Sequence, residues 1–257
     1  VKDIEVLKGK FKEMMKQAKA EYLKLLKGKS KDKAVEAVLE HFRDEETRME
    51  FYSFFNELSD IYEIISPDAF LRPYMNDFDT LARIYRICKE AYEPGVLIDR
   101  ELARKTAKLV QEHTKSGEIE GTLDVYEIDE NLLKKLEKDK SSDIEKVFNL
   151  IKGIKNLVGK DAEKSPYLRS IGEKAEIISE LFKQRQKTTK ETLEELKQLI
   201  EEINAARKEQ AKKRMPKDVF SAYWILKREK VSEPEEKAND MRELFEKYPH
   251  WKSSESH

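Results

Sequence analysis

Apolar side chains recur at steps of three and four residues along most of the chain, and this spacing places them on one face of an α-helix. In the first half it predicts helices at residues 4–28, 31–42, 44–65, 76–93 and 99–115. In the second half it predicts helices at residues 130–138, 143–158, 166–187, 190–214, 217–229 and 235–247. The sequence therefore predicts an all-α fold in the form of an elongated multi-helix bundle.

Several of these helices carry start signals of their own. Asp44 and Asn76 are expected to cap helices, because short polar side chains accept hydrogen bonds from the free amides of a first turn. Ser66 followed by Pro67 reads as an N-cap with proline at the first helical position. That arrangement predicts a further short helix, which Pro73 interrupts.

One segment departs from the helical spacing. Residues 122–128 alternate apolar with polar side chains, as a strand or an extended segment does. The surrounding residues 118–129 contain acids and no Lys or Arg. We therefore expect two helical subdomains, at residues 1–117 and 130–257, joined by an acidic extended connector at residues 118–129.

The C-terminal subdomain is predicted to contain a long antiparallel helix pair. The helix at 190–214 has a single narrow apolar stripe, which requires a partner helix. The stripe consists of Leu193, Leu196, Ile200 and Ile203. The helix at 166–187 is its natural neighbour and supplies Leu168, Ile171, Ala175, Ile178 and Phe182. Thr188 with Glu191 predicts a capping box at the start of the longer helix.

Composition limits the partners that the surface can attract. The chain has 257 residues, 40% of them charged, and its 51 basic and 52 acidic residues give a net charge of −1. An even balance excludes a whole-surface attraction to nucleic acid, so any such binding must come from local patches.

The cysteine and hydropathy patterns favour a cytoplasmic protein without a membrane anchor. Cys88 lies in an apolar helical pattern, where a small buried hydrophobe is the expected role. A single cysteine forms no internal disulfide, which fits a reducing compartment. No apolar run approaches the length of a membrane span, and no signal-peptide region begins the chain. Since Val1 stands where an initiator Met is usual, we expect a fragment of a longer protein.

No catalytic, metal or cofactor site is expected in this chain. Residues 28–30 imitate the end of a P-loop, but a lysine-rich helix rather than a strand precedes them. Residues 195–197 match a nuclease Glu-x-Lys by letter, within a strongly helical run. The four histidines are too dispersed for a metal site, and His113 is expected to meet the last carbonyls of a helix. Asp68 and Arg72 are expected to form a surface ion pair.

Two basic clusters remain as candidate binding patches. One is the lysine face of the predicted first helix. The other lies near the end of the helix at 190–214 and consists of Arg207, Lys208, Lys212, Lys213, Arg214 and Lys217. Cations at a helix C-terminus also satisfy the helix dipole, so a structural role for the second cluster is an open alternative. Neither cluster has interleaved aromatics, and any DNA contact is therefore expected to be non-specific and to phosphates.

Three apolar segments could pack either in the core of this chain or against a partner. Residues 220–226 are apolar nearly all round and are expected in the core of this chain rather than under a partner. The apolar face of the first helix is left open between these alternatives. Tyr248 and Trp251 follow the last predicted helix, where little chain remains to bury them.

One family resemblance covers about four fifths of the chain. In the first half it is carried by Phe51-Tyr52-Ser53-Phe54-Phe55 and by residues 58–72, 74–78, 99–106 and 110–114. In the second half it is carried by residues 119–121, 125–128, 146–150, 165–168, 222–224 and 248–251. Together and in this order, these motifs resemble the C-terminal helical region of type I restriction enzyme restriction subunits.

The resemblance implies an assembly role. In that family the nuclease and the ATPase lobes precede the helical region, which implies no enzyme activity and no cofactor within this chain. Its implied partners are the methyltransferase and specificity subunits, with Tyr248 and Trp251 as candidate docking residues. The family usually continues into a further basic helix, whereas this chain stops at His257. A stand-alone helical nucleic-acid-binding or adaptor protein is the alternative.

Overall fold

The computed structural model describes residues 4–93, 123, 125–163 and 165–247. These residues form ten α-helices, two short 3-10 segments and no strand. The first helices are α1 (Ile4–Glu21), α2 (Lys31–His41), α3 (Glu45–Ile65), α4 (Met75–Tyr92) and α5 (Leu132–Lys138). The later ones are α6 (Asp143–Asp161), α7 (Tyr167–Lys183), α8 (Thr189–Lys213), α9 (Lys217–Arg228) and α10 (Pro234–Lys247). The predicted all-α class is confirmed, and the helix predicted at 99–115 lies outside the described residues.

The chain divides into two compact units. The first consists of Val1–Asp124, Lys140–Asn149 and Leu181–Thr189. The second consists of Val125–Asp139, Leu150–Glu180 and Lys190–His257. The chain first passes from one unit to the other between Asp124 and Val125, inside the predicted connector at 118–129. The described residues of this connector have no regular secondary structure. Two later stretches of the predicted C-terminal subdomain belong to the first unit, because Phe148 packs on both Tyr92 and Phe182 there.

The apolar face of α1 lies in the core of the first unit. Phe11 is fully buried, and its ring contacts Tyr62 and Tyr74 at centroid distances of 6.1 and 5.5 Å. The remaining buried residues of this face are Leu7, Met14, Met15 and Ala18. Most of this face therefore lies in this chain's own core, whereas Ile4 at its start is 43% exposed.

Helix caps explain where α3 and α4 begin. Asp44 caps α3 as predicted, and its carboxylate accepts a hydrogen bond from the Thr47 amide at 3.0 Å. The prediction of a helix opened by Ser66 and Pro67 was wrong, because a 3-10 segment, Ala69–Tyr74, follows Asp68 as its cap. Asn76 does not cap α4 either, since that helix begins one residue earlier.

Asp68 does not form the predicted ion pair with Arg72. Its carboxylate accepts a hydrogen bond from the Phe70 amide at 2.8 Å and pairs with Lys8 Nζ of α1 at 2.7 Å. Its capping role directs the carboxylate toward the start of the 3-10 segment, where α1 supplies the cation. The pair therefore joins two elements instead of adjacent turns of one helix.

Two arginines close the turn between α2 and α3 in the first unit. Arg43 donates to the Phe182 carbonyl at 3.0 and 3.2 Å and to the Lys187 carbonyl, and it stacks on the Phe182 ring at 4.1 Å. Arg48 is buried and donates to the Phe42 and Arg43 carbonyls at 2.9 and 3.3 Å. Since the last carbonyls of a helix lack helical partners, these guanidinium groups satisfy acceptors left at the ends of α2 and α7.

The second unit has an aromatic core between α7 and α9. Tyr167 is buried and contacts the rings of Phe220 and Trp224 at centroid distances of 5.7 and 6.3 Å. Phe220, Tyr223 and Trp224 are all buried, which confirms the expectation that residues 220–226 belong to the core. Ala222 and Leu226 are half-buried, and Ile225 has 38% of its surface exposed.

An ion pair joins α7 and α8 in the second unit, and the predicted antiparallel pairing of these helices stays a prediction. Lys174 Nζ of α7 lies 2.9 Å from Glu202 Oε2 of α8. Leu196, Ile200 and Ile203 of the predicted stripe are fully buried. The capping box predicted at Thr188 and Glu191 stays a prediction.

A capping box that we did not predict begins α6. The Ser142 amide donates to Glu145 Oε2 at 3.0 Å, and the Glu145 amide donates to Ser142 Oγ at 3.4 Å. The signal was present in the sequence as Ser-x-x-Glu ahead of an apolar run.

We predict that the ion pair between Asp68 and Lys8 makes the free energy of unfolding depend on pH in the acid range. The hydrogen bond from Lys8, followed by that from the Phe70 amide, lowers the pKa of Asp68 below its ordinary value of 3.8. A carboxyl group whose pKa is lower in the folded state stabilises that state above the unfolded pKa, and this stabilisation is lost as the pH falls through the folded pKa. Asp68→Asn, which keeps an acceptor for the Phe70 amide, should reduce the free energy of unfolding near neutral pH and have no effect well below pH 3.8.

Urea unfolding across this pH range measures the difference, with Arg72→Gln as the control. A pH-independent effect of Asp68→Asn, or an equal effect of Arg72→Gln, would contradict the prediction.

Candidate nucleic-acid interface

The second basic cluster lies where α8 ends and the chain turns into α9. Helix α8 ends at Lys213, and Arg214 has a φ of 51°, which breaks the helix in the left-handed region. Pro216 is the N-cap residue of α9. The negative end of the α8 dipole favours cations at this position.

Two of the six predicted residues are committed to the fold. Arg207 Nη1 donates to the Ile128 carbonyl at 2.8 Å and thereby holds an irregular segment against α8. Lys213 pairs with Glu235 of α10 and lies 4.7 Å from the centre of the Tyr223 ring. The structural role that was left open from the sequence accounts for the Lys213 side chain and for one N–H donor of Arg207.

The other four residues are available to a partner, and we call them the corner cations: Lys208, Lys212, Arg214 and Lys217. All four are exposed, and none of their side chains has a hydrogen bond or ion pair with another described residue. Lys208 and Lys212 are four residues apart on α8, so they lie on the same helix face. The four charges thus lie in the last turns of α8 and in the residues that lead into α9.

Carboxylates beside the corner are largely neutralised. Burial, the largest influence, opposes ionisation of Glu209, but hydrogen bonds from Lys227 and Tyr223 outweigh it and lower the pKa of Glu209. Lys227 Nζ lies 2.7 Å from Glu209 Oε2. Asp218 Oδ1 accepts a hydrogen bond from the Val219 amide at 3.1 Å. The balance of free charge at the corner remains positive.

Aromatic side chains near the corner are unsuited to base stacking. Tyr223 and Trp224 are only 5% and 8% exposed, because they belong to the core of the second unit. Of the described residues, a nucleic acid at the corner would therefore meet cations rather than these two rings. The expectation of phosphate contact without base readout stays a prediction.

The lysine face of α1 is partly used to hold the first unit together. Lys8 pairs with Asp68, Lys10 pairs with Glu57, and Lys19 Nζ lies 2.8 Å from Asp77 Oδ2. The exposed lysines that remain in this region have no ion pair with a described residue, and they are Lys12, Lys24, Lys27 and Lys29.

The residues that imitate catalytic motifs have ordinary structural positions. Gly28 has a φ of 74° in the turn that precedes α2, and a 3-10 segment rather than a strand comes before it. Residues 195–197 lie within α8. Cys88 is fully buried as predicted, and burial raises the pKa of its thiol. Among the described residues no group of three or more His, Cys, Asp or Glu is arranged to hold a metal ion.

Some predicted residues lie outside the part of the chain that the structure describes. These include the candidate docking residues Tyr248 and Trp251, and also His113. Within the described helices, none is long and apolar enough to cross a membrane.

A polar cleft in the second unit was not predicted from the sequence. Arg207 lines it together with Asn156 and Lys160 of α6 and with residues 125–128. Only the four-residue spacing of Asn156 and Lys160 was visible in the sequence, and such spacings are common on charged helices.

Comparison with known proteins identifies no relative. No protein-family model, curated protein or solved structure matches the chain. The resemblance to type I restriction subunits therefore rests on the motifs quoted above.

We predict that the corner cations carry any binding of this chain to duplex DNA. Changing all four to Gln should weaken binding and reduce the slope of log affinity against log salt by about 3–4, because each neutralised phosphate contributes about 0.9. Fluorescence anisotropy with two unrelated duplexes measures both quantities, and the two duplexes should behave alike.

A matched control removes the same number of charges from the first unit, through Lys12, Lys24, Lys27 and Lys29 to Gln. Equal losses in the two quadruple variants would show that the corner has no special role.

Proposed function

We propose that this chain is the C-terminal helical assembly region of a type I restriction subunit. In this role it holds the motor subunit on the methyltransferase and specificity subunits of the same complex. The chain contributes a docking scaffold, and the nuclease and ATPase chemistry belongs to other parts of that subunit.

The observation that supports this proposal best is the position of the motif residues in the first unit. Phe51 and Phe55 of the first motif are buried, and Phe55 contacts Phe78 of a later motif at 5.7 Å. Tyr62 stacks on the same Phe78 ring at 4.3 Å. A chance likeness between charged helices would fall mainly on exposed Lys and Glu, whereas these motifs supply interlocking core rings.

Motif residues also supply core side chains in the second unit. Tyr167 of one motif packs against Trp224 of another, and the Tyr167 amide donates to Ser221 Oγ at 3.3 Å. Motifs that are distant in sequence therefore form the core of each unit. Shared core packing is what two chains of one fold have in common, so the likeness supports a shared architecture.

A docking role requires apolar surface within a charged exterior, since interface centres are apolar or aromatic with a polar rim. In the described residues, Val6 of α1 is 66% exposed and Ile177 of α7 is 60% exposed. They mark one candidate surface on each unit. The segment with Tyr248 and Trp251 is the third candidate.

The alternative is a stand-alone helical nucleic-acid-binding or adaptor protein. The corner cations favour it, because they offer a phosphate-binding edge without any partner subunit. The coding sequence upstream of Val1 distinguishes the two proposals. Helicase motifs there would support the restriction subunit, and a start codon would support the alternative.

We predict that this chain competes with the complete motor subunit for the purified methyltransferase and specificity core, without ATP or DNA. Docking through an apolar centre needs neither nucleotide nor nucleic acid. Retention of labelled motor subunit on the immobilised core measures the competition. No displacement at micromolar concentrations of the chain would contradict the assembly role.

Single substitutions then locate the surface. Val6→Lys, Ile177→Lys and Trp251→Ala each remove one candidate apolar contact, and the one that abolishes competition identifies the docking unit. The quadruple Gln variant of the corner cations serves as the control, because it changes charge but no apolar contact.

A further inference from the structure

A polar cleft of about 380 Å³ opens in the second unit between α6, α8 and residues 125–128. This volume lies within the range of small-molecule sites, roughly 300–1,000 Å³. Its floor depends on Gly153 of α6, because a Cβ there would lie 2.4 Å from the Tyr126 carbonyl oxygen. The glycine thus lets the irregular segment approach the backbone of α6.

Arg207 presents an uncompensated charge to this cleft. Its guanidinium is half-buried, and its bond to the Ile128 carbonyl fixes its position in the wall. Among the described residues no carboxylate pairs with it. A guanidinium has five N–H donors in a planar fork, so most of them remain available to an anionic ligand.

Helix α6 adds further donors on the adjoining wall. Asn156 and Lys160 are four residues apart on the face that lines the cleft, and both are exposed. Neither side chain has a hydrogen bond or ion pair with a described residue. Together with Arg207 they supply two cations and an amide, which is the chemistry that binds a phosphate group.

Two carboxylates line the same cleft and restrict the ligand. Glu127 and Asp161 have no side-chain hydrogen bond or ion pair with another described residue. They reduce the attraction for a bare anion, because the lining carries two positive and two negative groups. They favour a ligand that also donates hydrogen bonds, since ionised carboxylates are acceptors only.

We propose that this cleft binds a small phosphate monoester that also carries hydroxyl groups. Arg207 and Lys160 hold the phosphate, and Asp161 and Glu127 accept hydrogen bonds from the hydroxyls. Asn156 completes the site with an amide that can donate and accept. The site belongs to the second unit alone and does not depend on the corner cations or on a docking partner.

Calorimetric titration of the chain with ribose 5-phosphate, ribose and inorganic phosphate tests the proposal. Ribose 5-phosphate should bind saturably, inorganic phosphate should bind at least about tenfold more weakly, and ribose should not bind. Absence of saturable binding by ribose 5-phosphate, or equal affinity for inorganic phosphate, would overturn the assigned ligand class.

Two substitutions test the roles of the residues. Lys160→Gln should weaken the binding of ribose 5-phosphate by about tenfold, as expected for the loss of one charge-assisted hydrogen bond. Asp161→Ala should weaken the binding of ribose 5-phosphate and strengthen the binding of inorganic phosphate, because it removes an acceptor and a repelling charge together. An increase in affinity for both ligands would show that the Asp161 carboxylate does not accept a hydrogen bond from the ligand, and this would overturn its role.

Lys155→Gln is the matched control on α6. Lys155 lies outside the cleft lining and sits 3.9 Å from Glu176, so its loss should leave the titrations unchanged. Thermal unfolding of each variant establishes that the fold is intact. Equal effects of Lys155→Gln and Lys160→Gln on the affinity would show that the binding follows from the overall charge of the chain. This result would reject the site.

Discussion

The first unit depends on two arginine side chains that are held by backbone carbonyls and aromatic rings. Arg48 is buried, bonds to the carbonyls that end α2, and lies 4.4 Å from the centre of the Tyr92 ring. Arg43 donates to the Phe182 carbonyl at the end of α7 and lies 4.1 Å from the centre of the Phe182 ring. Burial lowers the pKa of its guanidinium. Charge-assisted hydrogen bonds are worth about 1.5–3 kcal/mol each, and a desolvated cation over a ring adds roughly 2 kcal/mol. These contacts place residues 181–189 in a unit whose other residues are distant in sequence.

This construction separates the residues that determine the fold from those that are free to bind. The motifs that resemble type I restriction subunits supply core rings such as Phe55 and Trp224, which no partner can reach. The surface instead carries a charged exterior with scattered apolar side chains and a few cations without a counter-ion. The assembly function that we propose requires only a helical scaffold that presents docking residues on its surface.

The helices were predictable from apolar spacing, because most of them bury one face within their own unit. Asp44 was predictable as a cap, since its signal is local. The partner of Asp68 was not, because Lys8 reaches it from a different helix. The same limit applied to the basic cluster, where composition could not separate Arg207, bound to the distant Ile128 carbonyl, from the free Lys208. The polar cleft depends on the approach of Tyr126 to Gly153, which no local pattern encodes.

The claim that arginine bonds hold residues 181–189 in the first unit is tested most directly by hydrogen–deuterium exchange in Arg43→Met. This substitution keeps apolar bulk and removes the donors to the Phe182 and Lys187 carbonyls. The account predicts that amides at residues 183–187 exchange at least about tenfold faster, the effect of losing one charge-assisted hydrogen bond. Amides within α3 should keep their protection, and Arg72→Met should change neither region. Unchanged exchange at residues 183–187 in Arg43→Met would contradict the claim.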